Sequence, residues 1–183
     1  MATKLKQRNQ AVEKIARHIL AAGLSKTSLR QLAASANISD RMLLYYFKDK
    51  AEVLTVVLEY LAQKMTVEMN AAIPEGQLFE VSALFARAAN IISGDAFRPY
   101  MRLGVEISAA AIRGEEPFSK LSKAIAVGFI LWIEGRLTTE DPLERKAQAA
   151  MILGMLDGLA ILDVCTEPGD YDRALQAMIR SFQ

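Results

Sequence analysis

One cysteine and one histidine stand in a chain of 183 residues, and each scarcity removes a class of answer. The lone Cys165 allows no internal disulfide and suits a reducing cytosol; it lies in an apolar helical run, where an inert buried thiol is the ordinary expectation. The lone His18 sits on a basic stretch with no carboxylate or nucleophile spaced around it, so it offers no catalytic base. No cluster of Cys and His has the spacing of a metal site, and no glycine-rich loop is present to cradle phosphate. The sequence is therefore read as that of a non-enzyme with no cofactor. No apolar run reaches the roughly 18 residues of a membrane span without a charge interrupting it. The basic N-terminus, MATKLKQRNQAVEK, has no apolar signal-peptide core behind it. The expected location is the cytoplasm, with no membrane partner.

Net charge is also small, +1 in total, but it is unevenly placed. Residues 1–54 hold ten Lys and Arg against four Asp and Glu, a net of +6. Residues 55–183 hold twelve against seventeen, a net of −5. A basic head on an acidic body suits a chain of which one end meets a polyanion, although a charge run is more often a solvated face.

Strand patterns are missing as well. Apolar residues recur at helical spacing along the chain, punctuated by Gly, Pro and capping residues. A first helix over about 6–22 places Val12, Ile15, Ala16, Ile19 and Leu20 on one face, and Gly23 suits a left-handed position after it. A long helix starts near Asp49 and runs to about Ala72, where Pro74 and Gly76 stop it; Asp49 and Glu52 have capping-box spacing. Further helices are expected over 77–93, 97–113, 117–137, 142–166 and 171–182. The breaks between them fall at Gly94-Asp95, Gly114 to Pro117, Thr138 to Pro142 and Pro168 to Asp170. The expected fold is all-α, with about nine helices. A three-helix head (1–48) carries a helix-turn-helix, and a long fourth helix joins it to a helical ligand-binding and dimerisation body (49–183). An unbroken fourth helix would carry any shift of the body into the head.

Residues 28–50, SLRQLAASANISDRMLLYYFKDK, hold the most specific pattern. Ser28 and Gln31 form a capping box before a helix whose Leu29, Leu32, Ala33 and Ala36 share a face. Asn37 tolerates the left-handed backbone of a tight turn. Ser39 caps the next helix, with Ile38 placed to staple onto Leu43. At 100° per residue, Leu43, Tyr46 and Phe47 turn inward, Arg41, Tyr45 and Lys48 turn outward, and Leu44 and Asp40 lie at the edge. An outward Arg suits guanine edges or phosphate, a Tyr hydroxyl suits phosphate, and Lys50 stands at the start of the following helix, where free N–H groups attract anions.

This stretch resembles the tetracycline-repressor (TetR) family of transcriptional regulators. The matching residues are Gly23, Thr27-Ser28-Leu29-Arg30, Leu32-Ala33, Ala36-Asn37-Ile38-Ser39, Leu43, Tyr45-Tyr46-Phe47, Lys50 and Leu54, without gaps. Arg41 and Leu44 depart from the family, which commonly has Gly and Tyr there. Arg41 would add a base contact; Leu44 leaves Tyr45 as the phosphate partner and suits a thymine methyl. The resemblance implies a homodimer that binds a palindromic double-stranded operator and releases it when a small effector enters the body. The implied DNA contacts are Thr27, Ser28, Arg30, Ser39, Arg41, Met42, Leu44, Tyr45, Lys48 and Lys50.

The body is rich in aromatic and Met residues, which ordinarily means core. The sharper reading is a largely apolar effector cavity walled by Met65, Met69, Met101, Phe129, Trp132 and Met155, with Glu106 or Asp157 to orient a ligand. Gly154 and Gly158, four apart in AQAAMILGMLDGLAIL, each cost a helix roughly 1 kcal/mol against Ala. A closely packed second helix would offset that, so they mark an expected dimer interface; a close crossing within one chain is the alternative. The rival to a DNA-binding regulator is a helical hydrophobe- or lipid-binding protein whose basic head contacts anionic membrane. That rival leaves the two caps, the turn and the Tyr45-Tyr46-Phe47 arrangement unexplained.

Overall fold

The computed structural model describes residues 2–167 and 169–182; Pro168, expected among the breaks before the last helix, lies outside them. The fold is all-α. Among the described residues there are nine α-helices: α1 (Ala2–Ala22), α2 (Leu29–Ser35), α3 (Asp40–Tyr46), α4 (Lys50–Ala72), α5 (Val81–Ile92), α6 (Arg98–Ile112), α7 (Phe118–Glu134), α8 (Pro142–Cys165) and α9 (Asp170–Arg180). A 3-10 turn, Leu24–Lys26, separates α1 from α2.

The chain forms two compact units, and neither is a single stretch of sequence. The first comprises Met1–Met65 and Glu106–Ser122; the second comprises Thr66–Val105 and Lys123–Gln183. Helices α4, α6 and α7 therefore each have residues in both. In the first unit α1, α2 and α3 pack on one another around Ile15, Ile19, Leu32 and Leu43, all fully buried, and Phe47. Each such side chain contributes about 1.5–3 kcal/mol by leaving water. In the second unit α5, α8 and α9 pack together, with Leu84, Phe85, Ile152 and Leu159 buried.

Several boundaries differ from those that periodicity suggests. Helix α1 starts at Ala2 and not near Lys6, so its polar first turns extend beyond the apolar stripe. Helix α5 starts at Val81 and not at 77, because the preceding backbone is engaged elsewhere. Phe79 N–H donates to the Arg136 carbonyl at 2.8 Å, and Thr138 N–H donates to the Phe79 carbonyl at 3.1 Å. This isolated parallel bridge, Phe79 with Leu137, fixes the chain as extended before α5 and also ends α7 at Glu134 instead of 137.

Below that bridge the second unit holds its one buried charged residue among those described, Arg136, 4% exposed. Its Nε donates to the Ile73 carbonyl at 3.0 Å, Nη1 to the Trp132 carbonyl at 2.9 Å and Nη2 to Asn70 Oδ1 at 2.7 Å. Trp132 donates its indole N–H to the same Asn70 oxygen at 2.6 Å, and the guanidinium stacks 3.9 Å from the Trp132 ring centroid. The cation thus satisfies carbonyls at the ends of α4 and α7, where helix dipoles favour positive charge.

Candidate nucleic-acid interface

The helix-turn-helix is built from local bonds. Ser28 Oγ accepts from Gln31 N–H at 3.3 Å while Gln31 Oε1 accepts from Ser28 N–H at 3.0 Å, completing the capping box that starts α2. Helix α2 then ends in a turn through Asn37, the one described non-glycine residue with positive φ, at 58°. An Asn tolerates this backbone because its short polar side chain can bond locally. Ser39 Oγ accepts from Met42 N–H at 3.2 Å and starts α3. Lys14 Nζ donates to the Ala36 carbonyl at 3.2 Å, tying the end of α2 to α1.

These caps orient α3. Leu43 and Phe47 are buried beneath it, and the Tyr46 hydroxyl donates to Gln7 Oε1 at 2.9 Å. The opposite side leaves Arg41, Met42, Leu44, Tyr45 and Lys48 exposed, Tyr45 at 61%. Arg30, Ser28, Ser39 and Lys50 are exposed too. Thr27 is different: it is buried, and its hydroxyl donates to the Leu24 carbonyl at 2.7 Å. At the start of α4 two amides are already bonded. Lys48 N–H donates to Glu52 Oε2 at 2.6 Å and Glu52 N–H to Asp49 Oδ1 at 2.8 Å. Glu52 also faces Arg8 at 3.8 Å, and Lys50 is exposed at the first position of α4.

Two cations of α1 were not singled out by sequence. Lys4 Nζ stands 4.0 Å from the Tyr45 ring centroid and the Arg8 guanidinium 4.7 Å from that of Phe47. Their spacing of four residues on α1 is the signal that would have found them. Lys4 adds a positive charge directly to the aromatic outer face of α3.

Residues 12–57 match the family of bacterial regulatory proteins known as the tetR family. They form a tetR-family N-terminal domain. No curated protein sequence matches the chain, but solved structures share its fold over nearly the whole length. A transcriptional regulator from Rhodococcus sp. Rha1 superposes with a TM-score of 0.75 at 17% identity, covering 95% of this chain and 94% of its own. The multidrug binding protein EbrR, complexed with proflavin, gives 0.65 at 21% identity over 95% and 98%. A transcriptional regulator from Saccharomonospora viridis, in complex with choline, gives 0.69 at 14% identity over 97% and 95%. The tetR-family domain of this chain contains every residue assigned above to DNA contact.

The residues expected to wall an effector cavity divide between the units. Met65 and Glu106 lie in the first; Met69, Met101, Phe129, Trp132 and Met155 lie in the second. Met65, Met69 and Trp132 are buried, whereas Met101, Phe129 and Met155 are partly exposed. Glu106 accepts a hydrogen bond from Leu24 N–H at 2.7 Å. Met101 lines a cavity of about 10 Å³ in the second unit, with Ile92, Arg98, Asp163 and Tyr171. Arg98 Nε stands 3.3 Å from Asp163, and the Tyr171 hydroxyl donates to the Ala89 carbonyl at 3.0 Å.

Apart from their own helix backbone, no atom of the described residues lies within 4 Å of where a Cβ of Gly154 or Gly158 would stand. They lie on an outward stripe of α8 with Leu143, Met151, Ile161 and Val164, all exposed. At 100° per residue these positions share one side, opposite the buried Ile152, Leu156 and Leu159. Asp157 lies on the outward side as well. The residue is exposed as a whole, yet partial burial of its carboxyl pushes the pKa up. In length and mean hydropathy, 1.6 over its most apolar window, α8 reaches what a membrane span requires, with Asp157 interrupting it.

Proposed function

We propose that this protein is a ligand-responsive transcriptional regulator, a cytoplasmic repressor and not a catalyst. It binds a palindromic DNA operator as a homodimer and is released by a small, largely apolar effector. The observation that carries the reading is the outer face of α3. Arg41 and Tyr45 are exposed on a helix capped by Ser39 and seated by Leu43 and Phe47, and Lys48 is exposed just beyond its end. An exposed Arg on such a helix suits base edges in the major groove, while Tyr, Lys and the caps suit phosphates. A two-fold pair of these helices must reach successive grooves roughly 34–36 Å apart. The apolar outward stripe of α8, with bare backbone at Gly154 and Gly158, supports a second copy of the chain as the partner. Proflavin and choline in two proteins of the same fold support a small organic effector, held by residues such as Met69, Met101, Phe129, Trp132 and Met155.

Binding of effector and operator is linked, so each weakens the other by the same factor. The testing experiment is selection of duplexes from a random pool by the purified chain at fixed salt. The expected product is an enriched palindrome; a pool that stays random overturns the reading. The rival, a hydrophobe-binding protein with its basic head on anionic membrane, gains support from the apolarity of α8. It predicts flotation with anionic liposomes and no duplex retention.

A further inference from the structure

The turn that leads into the helix-turn-helix is held by a residue 82 positions away. Gly23 closes α1 by donating its N–H to the Ile19 carbonyl at 2.8 Å. Leu24 then opens the 3-10 turn, where no preceding helical carbonyl serves its N–H. Glu106 Oε2 serves it instead, at 2.7 Å. The same carboxylate fills the space beside Gly23: a Cβ there would stand 2.9 Å from Oε2 and closer still to Oε1. Gly23 is thus required twice, for its φ of 70° and for the seat it gives Glu106.

From Leu24 the bonding continues toward DNA. The Leu24 carbonyl accepts the Thr27 hydroxyl at 2.7 Å, the Lys26 carbonyl lies 3.0 Å from His18 Nε2, and Ser28 follows as the cap of α2. Resting on the DNA-binding reading above, we propose that Glu106 is a positioning residue for operator binding: its bond to Leu24 holds Thr27 and Ser28 where α2 begins. Glu106 is well placed to make that position conditional. It is the first residue of α6 in the first unit, and the preceding turns of the same helix, from Arg98 to Val105, belong to the second. A charge-assisted bond at 2.7 Å is strong, and lengthening it by about 1 Å ends it.

The test uses the full chain and the duplex that the wild type selects from a random pool. Glu106→Gln keeps an acceptor at the same reach; Glu106→Asp keeps the charge but falls one methylene short; Glu106→Ala removes both. We expect Glu106→Ala and Glu106→Asp to speed exchange of the Leu24 amide about tenfold and to weaken duplex binding about threefold to tenfold, the range in which coupling residues act. The slope of log affinity against log salt should not change, because no phosphate contact is lost. Glu106→Gln should restore both readouts. Wild-type exchange and affinity in Glu106→Ala, or a Glu106→Gln variant as impaired as Glu106→Ala, overturns the proposal while leaving the DNA-binding reading intact. A wild-type chain that selects no duplex overturns that reading, and the positioning role with it.

Discussion

Single residues divide here into those that hold and those that reach outward. Arg136 holds: its three bonded oxygens, on Ile73, Trp132 and Asn70, are neutral. Burial accordingly pulls its pKa down, with the charge of Glu75 opposing that pull. Tyr171 also holds, through the bond from its hydroxyl to Ala89, and burial pushes its pKa up. The raised value sets a direction with pH. Below the unfolded value of about 10 both states keep the proton, and the contribution to stability is complete. As pH rises through the folded value, the unfolded chain has already lost its proton and that contribution disappears. Tyr171→Phe should cost about 1 kcal/mol in urea unfolding at pH 7, and the difference from wild type should shrink as pH climbs above 10. Arg41 and Lys50 reach outward. Arg41→Ala should relax base preference at one position of each half-site, whereas Lys50→Ala should weaken all duplexes alike and reduce the salt slope by about 1. An unchanged preferred site in Arg41→Ala would reduce Arg41 to a backbone contact.

At the scale of elements, helix starts are set by residues only a few positions apart, and this governs what could be read in advance. Ser39→Ala removes the one side-chain acceptor at the start of α3 and should cost about 1 kcal/mol in thermal or urea unfolding, with duplex affinity falling as α3 frays. Ser28 with Gln31, Asn37 and Ser39 were all legible, because each acts on backbone within three residues of itself. The start of α8 is equally local: Asp141 Oδ1 accepts from Leu143 N–H at 2.7 Å and Glu144 N–H at 3.2 Å. The inward face of α3 was legible for the same reason. The start of α5 was not, since the backbone of Phe79 is claimed by Arg136 and Thr138 far along the chain. Nor was the role of Glu106, whose partner is a backbone amide in a turn and leaves no mark in side-chain spacing. Cavity-lining residues were legible only as apolar helix faces, which look alike whether they meet a ligand or each other.

For the whole molecule, the outward stripe of α8 and the discontinuous first unit matter most. Replacing Ile161 by Glu places a charge among Leu143, Met151, Gly154, Gly158 and Val164. We expect it to weaken self-association by about a hundredfold or more, as unmatched charge in an apolar interface does. Sedimentation at micromolar concentration reads this directly, and a wild-type chain that is itself monomeric there removes the dimer from the proposal. The first unit carries a further consequence, one of timing. Met1–Met65 and Glu106–Ser122 belong together, so the ribosome delivers the two parts in instalments. At 5–20 residues per second, roughly 3–11 s separate the emergence of Met65 from that of Ser122. During that interval α1, α2 and α3 can bury Ile15, Leu32 and Leu43 among themselves, but the Leu24 amide has no Glu106 to meet. Nascent chains stalled before Glu106 emerges should be cut by protease near the 23–28 turn, and chains stalled well beyond Ser122 should resist. The reader of DNA would be assembled early in translation and locked late.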